Sequence, residues 1–256
     1  CDLFLKLECQ QYTSSFKARG AYIAMRGLDV AQRNAGVIAM SAGNHAQAVA
    51  YHAERMRMPA VIVMPAQTPF AKIARTRAYG ADVVLEGRNL NECEGTVNKL
   101  INERGLTLIH PYDNALVMTG QGTVGLEMLE DKPDLDILVV PIGGGGLIGG
   151  IATIAREMRP NIKIIGVQTE SYPTMKLAVA GKAIECGGET LAEGIAVKKP
   201  GNVTRPVVAQ HVDDIILVSE RHLEWAVGAL VEQQRVVAEG AGAAGIAAIF
   251  GNPSIF

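Results

Sequence analysis

Short apolar runs alternate along the chain with longer segments of helical periodicity. Each run is a continuous stretch rich in Val, Ile and Leu, without alternating polar residues. Continuous apolar strands of this kind are typical of parallel sheets covered by helices on both faces. The sequence therefore predicts an α/β fold with open, mostly parallel sheets flanked by helices. The predicted strands are 3–7, 37–40, 60–64, 82–85, 106–109, 137–141, 163–168 and 214–218, and the predicted helices are 16–26, 45–56, 70–79, 90–104, 117–129, 147–159, 174–180, 220–234 and 239–249.

Charge and composition limit the kind of partner. The 256 residues carry 24 Lys and Arg against 26 Asp and Glu, for a formal net charge of -2, and 48% are hydrophobic. Such a chain can bury a sizeable core, but it lacks the basic field that a nucleic acid or an anionic membrane would require. The four cysteines show no C-x-x-C spacing, and no apolar run approaches the ~20 residues of a membrane span. We therefore expect a cytoplasmic protein that acts on a small molecule, with no nucleic acid and no membrane as partner.

Four consecutive glycines follow one of the predicted strands. Gly143 to Gly146 lie between that strand and an apolar helix that begins at Leu147. Glycines let a backbone approach an anion closely, and the N–H groups and positive dipole at a helix start favour phosphate. The segment therefore predicts a phosphate-binding loop, since a tight turn alone needs fewer glycines. It also satisfies G-x-G-x-x-G over 144–149, with Glu170 near the end of the next strand, so a dinucleotide-binding oxidoreductase stays open on this segment alone.

A lysine lies at the start of the first predicted helix. Lys17 follows a serine pair, Ser14 and Ser15, which can cap the helix and leave the lysine in its first turn. There the positive helix end, burial and neighbouring cations would lower the pKa of the amine. A neutral amine near a phosphate-binding loop suits a covalent bond to an aldehyde cofactor.

A third segment closes one predicted strand and opens the next helix. It reads Ser41, Ala42, Gly43, Asn44 and His45. The backbone N–H groups of the helix start, the Ser41 hydroxyl and the Asn44 amide can receive a carboxylate or a phenolic oxygen. His45 is a candidate for proton transfer, although a histidine at a helix start is more often a capping or packing residue.

Together these segments resemble the threonine dehydratase and serine racemase family, whose members are fold-type-II, tryptophan synthase β-like, pyridoxal-phosphate enzymes. The resemblance runs from residue 3 to about residue 249 and includes G-Q-G-T at 120–123, V-D-D-I at 212–215 and E-G-A-G at 239–242. It implies pyridoxal 5'-phosphate as cofactor and elimination of water and then ammonia from a small hydroxy amino acid, in a homo-oligomer. A nicotinamide enzyme would need neither Lys17 nor the 41–45 loop. The alternative from another class is a truncated member that binds ligand without catalysis.

The resemblance also implies roles for individual residues. Lys17 would bond to the cofactor and remove the Cα proton of the substrate, Phe16 would pack beside the cofactor, and Asn44 would meet its ring hydroxyl. The 41–45 loop would hold the substrate. Further cofactor contacts are implied for Gly143, Gly144, Gly145, Gly146, Leu147, Gly194 and Glu239.

Two positions depart from parts of the family. Members that racemise look like S-S-G-N-H, where the second serine supplies a proton opposite the lysine, whereas this chain has Ala42 and reads S-A-G-N-H, as bacterial threonine dehydratases do. Elimination is therefore favoured over racemisation, with threonine as the expected substrate and serine or 3-hydroxyaspartate as alternatives. Members with a structural cation place a carboxylate where this chain has Gln168, so no metal is predicted, although a site shifted to Glu170 stays open.

The resemblance divides the chain into two lobes. Residues 1–35 and 117–256 would form a large lobe that binds the cofactor, and residues 36–116 a small lobe that binds the substrate. The chain opens on Cys1 and stops at Phe256 just after a helix-like segment, so we expect a fragment truncated at both ends. Family members continue into a strand that contacts the pyridine nitrogen, and for this fragment we expect weak cofactor retention.

Overall fold

The structure is a computed structural model that describes residues 2–256. These residues form two compact units, one of residues 10–120 and one of residues 2–9 with 121–256. We call them the four-stranded unit and the three-stranded unit after their sheets. Their bounds differ from those of the lobes that the resemblance implies, because residues 10–35 and 117–120 belong to the four-stranded unit. The assignment of cofactor and substrate binding to separate lobes stays a prediction.

The centre of the four-stranded unit is a parallel sheet with the strand order β3-β2-β1-β4. Its strands are β1 (Val37–Met40), β2 (Ala60–Met64), β3 (Asp82–Leu85) and β4 (Thr107–Leu108). The helices of this part of the chain are α1 (Lys17–Arg26), α2 (Val30–Ala35), α3 (Asn44–Met56), α4 (Phe70–Arg77) and α5 (Leu90–Arg104), followed by α6 (Ala115–Asp131).

Both faces of this sheet carry packed helices. On one face Val37 and Ala39 lie in an apolar cluster with buried residues of α1 and α3. On the other face Ile38 and Val61 pack against Val97 and its buried neighbours in α5. Successive residues of a strand point to opposite faces, so a sheet covered on both sides needs apolar residues at every position. The predicted α/β class with parallel strands is confirmed.

The three-stranded unit has a parallel sheet with the order β5-β6-β7. Its strands are β5 (Ile137–Pro141), β6 (Lys163–Thr169) and β7 (Asp214–Val218), and its helices are α7 (Gly146–Met158), α8 (Thr174–Val179), α9 (Thr204–His211), α10 (Glu220–Gln234) and α11 (Gly240–Gly251). Ile165 and Val167 of β6 pack with the buried faces of α10 and α11. Short 3₁₀ helices form at Glu8–Gln10 and Glu193–Ile195. Across residues 2–256, no helix has both the length and the apolar character to span a bilayer.

The predicted strand over 3–7 is wrong. Those residues have no regular secondary structure before the 3₁₀ helix. Their side chains instead lie on the surface of the three-stranded unit, where Lys6 pairs with Glu127 at 2.7 Å and Lys132 lies 4.5 Å from the centre of the Phe4 ring. An apolar run becomes a strand only where a neighbouring strand offers hydrogen bonds, and none lies beside this one among the described residues.

Two helices were not predicted, α2 and α9. The first had a clear signal, because Asp29 caps it: its carboxylate accepts the Gln32 N–H at 2.8 Å while the Gln32 side chain accepts the Asp29 N–H at 3.0 Å. This reciprocal pair is a capping box, which can be read from the D-x-x-Q spacing. The second begins at Thr204, and Pro206 is its third residue. Proline is tolerated in this first turn, but the sequence prediction treated the segment around it as a loop.

Candidate active site

Lys17 is the first residue of α1 in the four-stranded unit. Its amine donates a hydrogen bond to the carbonyl oxygen of Pro111 at 2.7 Å and lies 5.2 Å from the centre of the Phe16 ring. Although the residue keeps some solvent exposure, burial of the amine lowers its pKa from 10.5 to about 8. The neutral, nucleophilic form of the amine is therefore accessible near physiological pH. Burial, one of the three effects named in the sequence prediction, is the cause of this shift.

The start of α1 differs from the predicted cap. Phe16 occupies the N-cap position with helical dihedrals (φ -54°, ψ -16°) and makes no side-chain cap. Ser15 contributes through its hydroxyl oxygen, which accepts the Lys17 N–H at 3.3 Å. Ser14 has φ 55°, a left-handed conformation that turns the chain into the helix. Since the chain is already helical at Phe16, the serine pair lies one residue too early to take the cap position.

The 41–45 loop connects β1 to α3 in the same unit. The Ser41 hydroxyl oxygen accepts the Gly43 N–H at 3.2 Å, and α3 begins at Asn44 with Gly43 as its N-cap. A side chain added at Gly43 would meet nothing within 4 Å, so the loop borders open space. Gly43, the N-cap residue, has no side chain with which to cap the first turn of α3.

His45 lies buried beside this loop. Its Nε2 donates a hydrogen bond to the carbonyl oxygen of Ile109 at 2.7 Å, and its buried Nδ1 has no hydrogen-bond partner. Burial, together with the positive charge of Lys17, lowers the pKa of the ring to about 3. With this pKa the ring is neutral and weakly basic near pH 7, which favours the packing role over proton transfer.

One segment that contacts the candidate site residues was not identified in the sequence analysis. Residues 109–113 follow β4 and supply both the Ile109 carbonyl that accepts from His45 and the Pro111 carbonyl that accepts from Lys17. The histidine at 110 holds the backbone that follows it, since its Nδ1 accepts the N–H groups of residues 112 and 113. A His-Pro-Tyr-Asp sequence after a strand is a turn signal, but nothing local reveals that the turn lies against Lys17.

The glycine loop occupies the predicted place in the three-stranded unit. It runs from the end of β5 to α7, and Gly145 is the N-cap of α7 with φ 95°, a left-handed conformation that favours glycine. A Cβ atom at Gly145 would lie 2.6 Å from Met175 Cε and 2.7 Å from Thr204 Oγ1. Thr204 also donates a hydrogen bond to the Gly144 carbonyl oxygen at 2.6 Å. The back of the loop is therefore tightly packed, while Gly145 has no side chain with which to cap the first turn of α7.

Other predicted residues lie beside this loop. A Cβ atom at Gly143 would lie 3.4 Å from the Gly194 carbonyl oxygen, and one at Gly194 would lie 3.7 Å from Glu239 Oε2 and 3.0 Å from Ala241 Cβ. Gly194 belongs to the 3₁₀ helix Glu193–Ile195, and Glu239 is the N-cap residue of α11. The structure thus brings Gly143, Gly194 and Glu239 together within the three-stranded unit, and Leu147 follows in the first turn of α7.

Gln168 makes hydrogen bonds to protein partners through both its amide nitrogen and its amide oxygen. It is buried, its side-chain NH₂ donates to the Ile142 carbonyl at 3.3 Å and to Thr174 Oγ1 at 3.4 Å, and its oxygen accepts the Lys176 N–H at 3.0 Å. These bonds leave no strong oxygen ligand for a hard cation at this position. The prediction of no metal requirement stays a prediction, and so does the alternative at Glu170.

The chemistry of each group of residues can be judged separately. The Lys17 amine, whose pKa is lowered to about 8, suits a bond to an aldehyde. The glycine loop lies at the start of α7, where the N-cap residue has no side chain, and a helix start of this kind suits a phosphate. Both are groups that a phosphate-bearing aldehyde would use.

Comparisons with known proteins agree with this chemistry. The model of a family described as pyridoxal-phosphate dependent enzyme matches residues 1–254. The chain belongs to this family. Membership sets aside the dinucleotide-binding alternative that the glycine loop left open.

Within the family, the chain is similar to several named proteins. It is 46% identical over 250 residues to an L-threonine ammonia-lyase of Thermotoga maritima, an alignment that covers 97% of this chain and 62% of the relative. It is also 46% identical over 250 residues to an L-threonine dehydratase, catabolic TdcB, of Staphylococcus aureus, with 97% of this chain and 72% of that protein covered. The structure of maize serine racemase superposes with a TM-score of 0.93 at 37% identity, covering 96% of this chain and 75% of that one. The chain thus spans less than two thirds of the Thermotoga relative.

Proposed function

We propose that the protein is a threonine ammonia-lyase, which removes water from L-threonine to give an enamine that is then hydrolysed to a 2-oxo acid and ammonia, and which also acts on L-serine. The observation that carries the proposal is the Lys17 amine, whose pKa burial lowers to about 8 in a member of the pyridoxal-phosphate family. The names of the relatives support threonine as the first substrate to test. We further propose a cytoplasmic homo-oligomer with no metal requirement.

In this proposal each candidate residue has its own role toward the cofactor. Lys17 would bond to its aldehyde carbon, Phe16 would pack beside it and Asn44 would meet its ring hydroxyl. When bound, pyridoxal 5'-phosphate would supply an electron sink for the pair left at Cα after proton removal. The phosphate would lie at the start of α7, where N–H groups and the helix dipole favour an anion. The residues proposed around it are Gly143, Gly144, Gly145, Gly146, Leu147, Gly194 and Glu239.

In the proposed mechanism the protein residues transfer the Cα proton of the substrate and bind the substrate carboxylate. Lys17 Nζ would accept the Cα proton of the substrate, for which its lowered pKa provides a neutral amine near pH 8. The resulting ammonium could then donate a proton to the leaving β-hydroxyl. The Ser41 hydroxyl and the N–H groups at the start of α3 would hold the substrate carboxylate. The methyl group of Ala42 cannot donate a proton, so the opposite face of Cα lacks the acid that racemisation needs.

Product analysis tests this proposal. The protein is incubated with pyridoxal phosphate and, separately, with L-threonine, L-serine and L-3-hydroxyaspartate, and release of 2-oxo acid and ammonia is measured beside formation of the D-amino acid. We expect the highest kcat/KM for L-threonine, equal amounts of 2-oxo acid and ammonia, and D-serine below a hundredth of the pyruvate formed from L-serine. Racemisation faster than elimination, or no 2-oxo acid from any of the three, would contradict the proposal.

A further inference from the structure

Two polar side chains donate hydrogen bonds to the backbone of one short turn. Within the four-stranded unit, the Lys17 amine donates to the Pro111 carbonyl oxygen and His45 Nε2 donates to the Ile109 carbonyl oxygen, both at 2.7 Å. These acceptors belong to the backbone, so their directions are set by the backbone conformation of residues 109–113. A change in that conformation would move the acceptors of both side chains at once.

The His110 ring accepts hydrogen bonds from backbone N–H groups of this same turn. Its Nδ1 accepts the Asp113 N–H at 2.7 Å and the Tyr112 N–H at 3.3 Å, and its ring meets the Tyr112 ring edge-on with centres 4.7 Å apart. An asparagine oxygen makes the same kind of bond to N–H groups two and three residues onward in an Asx turn. The histidine ring therefore serves as an Asx-like cap around Pro111.

The bonding pattern also fixes the protonation state of His110. Two N–H groups donate to Nδ1, so Nδ1 carries its lone pair and the proton of the neutral ring lies on Nε2. Burial and the positive charge of Lys17 lower the pKa of the ring, against an opposing effect of Asp113. To act as a base, Nδ1 would first have to lose the hydrogen bonds that it accepts from the Tyr112 and Asp113 N–H groups. The geometry thus favours a positioning role over proton transfer through Nδ1.

We propose that His110 is a positioning residue, whose Nδ1 holds the 110–113 turn so that the Pro111 carbonyl accepts the Lys17 amine. The amine then has a defined acceptor whenever it is not covalently bound, and it occupies one position rather than several. The significance of this role for turnover rests on the proposed function. The geometric role itself belongs to the protein without cofactor.

Two substitutions separate the two ring nitrogens. His110→Asn places an acceptor oxygen where Nδ1 lies and keeps the turn bonds, whereas His110→Gln places its polar atoms at the position of Nε2 and loses them. Both variants are polar and uncharged, and both remove the imidazole. They therefore differ in the feature that the proposal invokes, and thermal unfolding of both checks that each is folded.

The first measurement needs no cofactor. Cofactor-free protein is acylated with acetic anhydride across a range of pH, and mass spectrometry of the Lys17 peptide gives the pKa of the amine. A carbonyl acceptor favours the ammonium form, so we expect the pKa of Lys17 in His110→Gln to fall by at least about 0.5 below that of wild type, and His110→Asn to stay within about 0.2. An unchanged pKa in both variants, or a larger shift in His110→Asn, would overturn the proposal.

The second measurement uses the cofactor-loaded protein and threonine. Misplaced catalytic groups lower turnover more than substrate binding, so we expect His110→Gln to lower kcat about tenfold with KM within about twofold of wild type. We expect His110→Asn to keep kcat within about threefold. If His110→Gln retains kcat while His110→Asn loses it, the ring acts through Nε2 and the proposal is wrong. If wild type itself releases no 2-oxo acid, the proposed function fails, and the acylation result still decides the role of His110.

Discussion

Replacing Lys17 with alanine should lower kcat for threonine by about 10³-fold or more, because the substitution removes both the bond to the cofactor and the base for the Cα proton. The folded protein should keep its stability, since the change removes a buried amine that is held by a single hydrogen bond to a backbone carbonyl. Steady-state release of 2-oxo acid measures the first effect and denaturant unfolding the second.

Two control variants show whether the loss is specific. Lys99→Ala removes a lysine whose side chain is 70% exposed in α5, and we expect activity within about twofold of wild type. Lys17→Arg keeps the positive charge but cannot become neutral at any accessible pH, so it should be as inactive as the alanine variant. Activity within tenfold of wild type in either Lys17 variant would remove the lysine from the proposed chemistry.

Replacing Gly145 in the glycine loop with alanine should also have a large effect. Alanine there must adopt φ 95° and place its Cβ 2.6 Å from Met175 Cε and 2.7 Å from Thr204 Oγ1. Left-handed strain and overpacking each cost about 1–3 kcal/mol, and relief of the clash requires the loop to move. We expect Gly145→Ala to lower the free energy of unfolding by about 2–4 kcal/mol and to raise the Kd for pyridoxal phosphate at least about tenfold.

Gly95→Ala is the matched control for that experiment. Gly95 lies on the exposed side of α5, and an added Cβ meets nothing within 4 Å. Alanine is better than glycine inside a helix by about 1 kcal/mol, so the same substitution should raise stability here and leave cofactor binding unchanged. Equal cofactor affinity in wild type and Gly145→Ala, measured by equilibrium titration, would show that the loop does not hold the phosphate.

Apolar continuity was enough to predict most of the strands. Five have the predicted bounds, because each is a short run of mainly apolar residues that is bordered by polar residues, glycine or proline. These five are β1, β2, β3, β5 and β7. The run at 3–7 has the same local composition, but a strand also requires a neighbour, and local sequence does not contain that information.

The site was predictable only where a segment carries its own chemistry. Gly143 to Gly146 form one unbroken stretch of sequence, and so does the 41–45 loop. In each case the strand end, the turn and the helix start could be predicted from adjacent residues. His110 and Pro111 lie more than 90 residues from Lys17 in the chain, and their connection depends on a turn that ends against α1. The effect of burial on His45 also depends on tertiary packing, which gives its ring a pKa of about 3. Local sequence shows a histidine at a helix start but not its burial.

Reduction with borohydride in the presence of pyridoxal phosphate, followed by peptide mapping, tests the central claim most directly. The experiment fixes the cofactor to whichever amine it has bonded. We predict one cofactor per chain on the peptide that contains Lys17, with exposed lysines such as Lys99 unlabelled at equal cofactor concentration. A protein without label, or one with the label spread over surface lysines and absent from Lys17, would contradict the account.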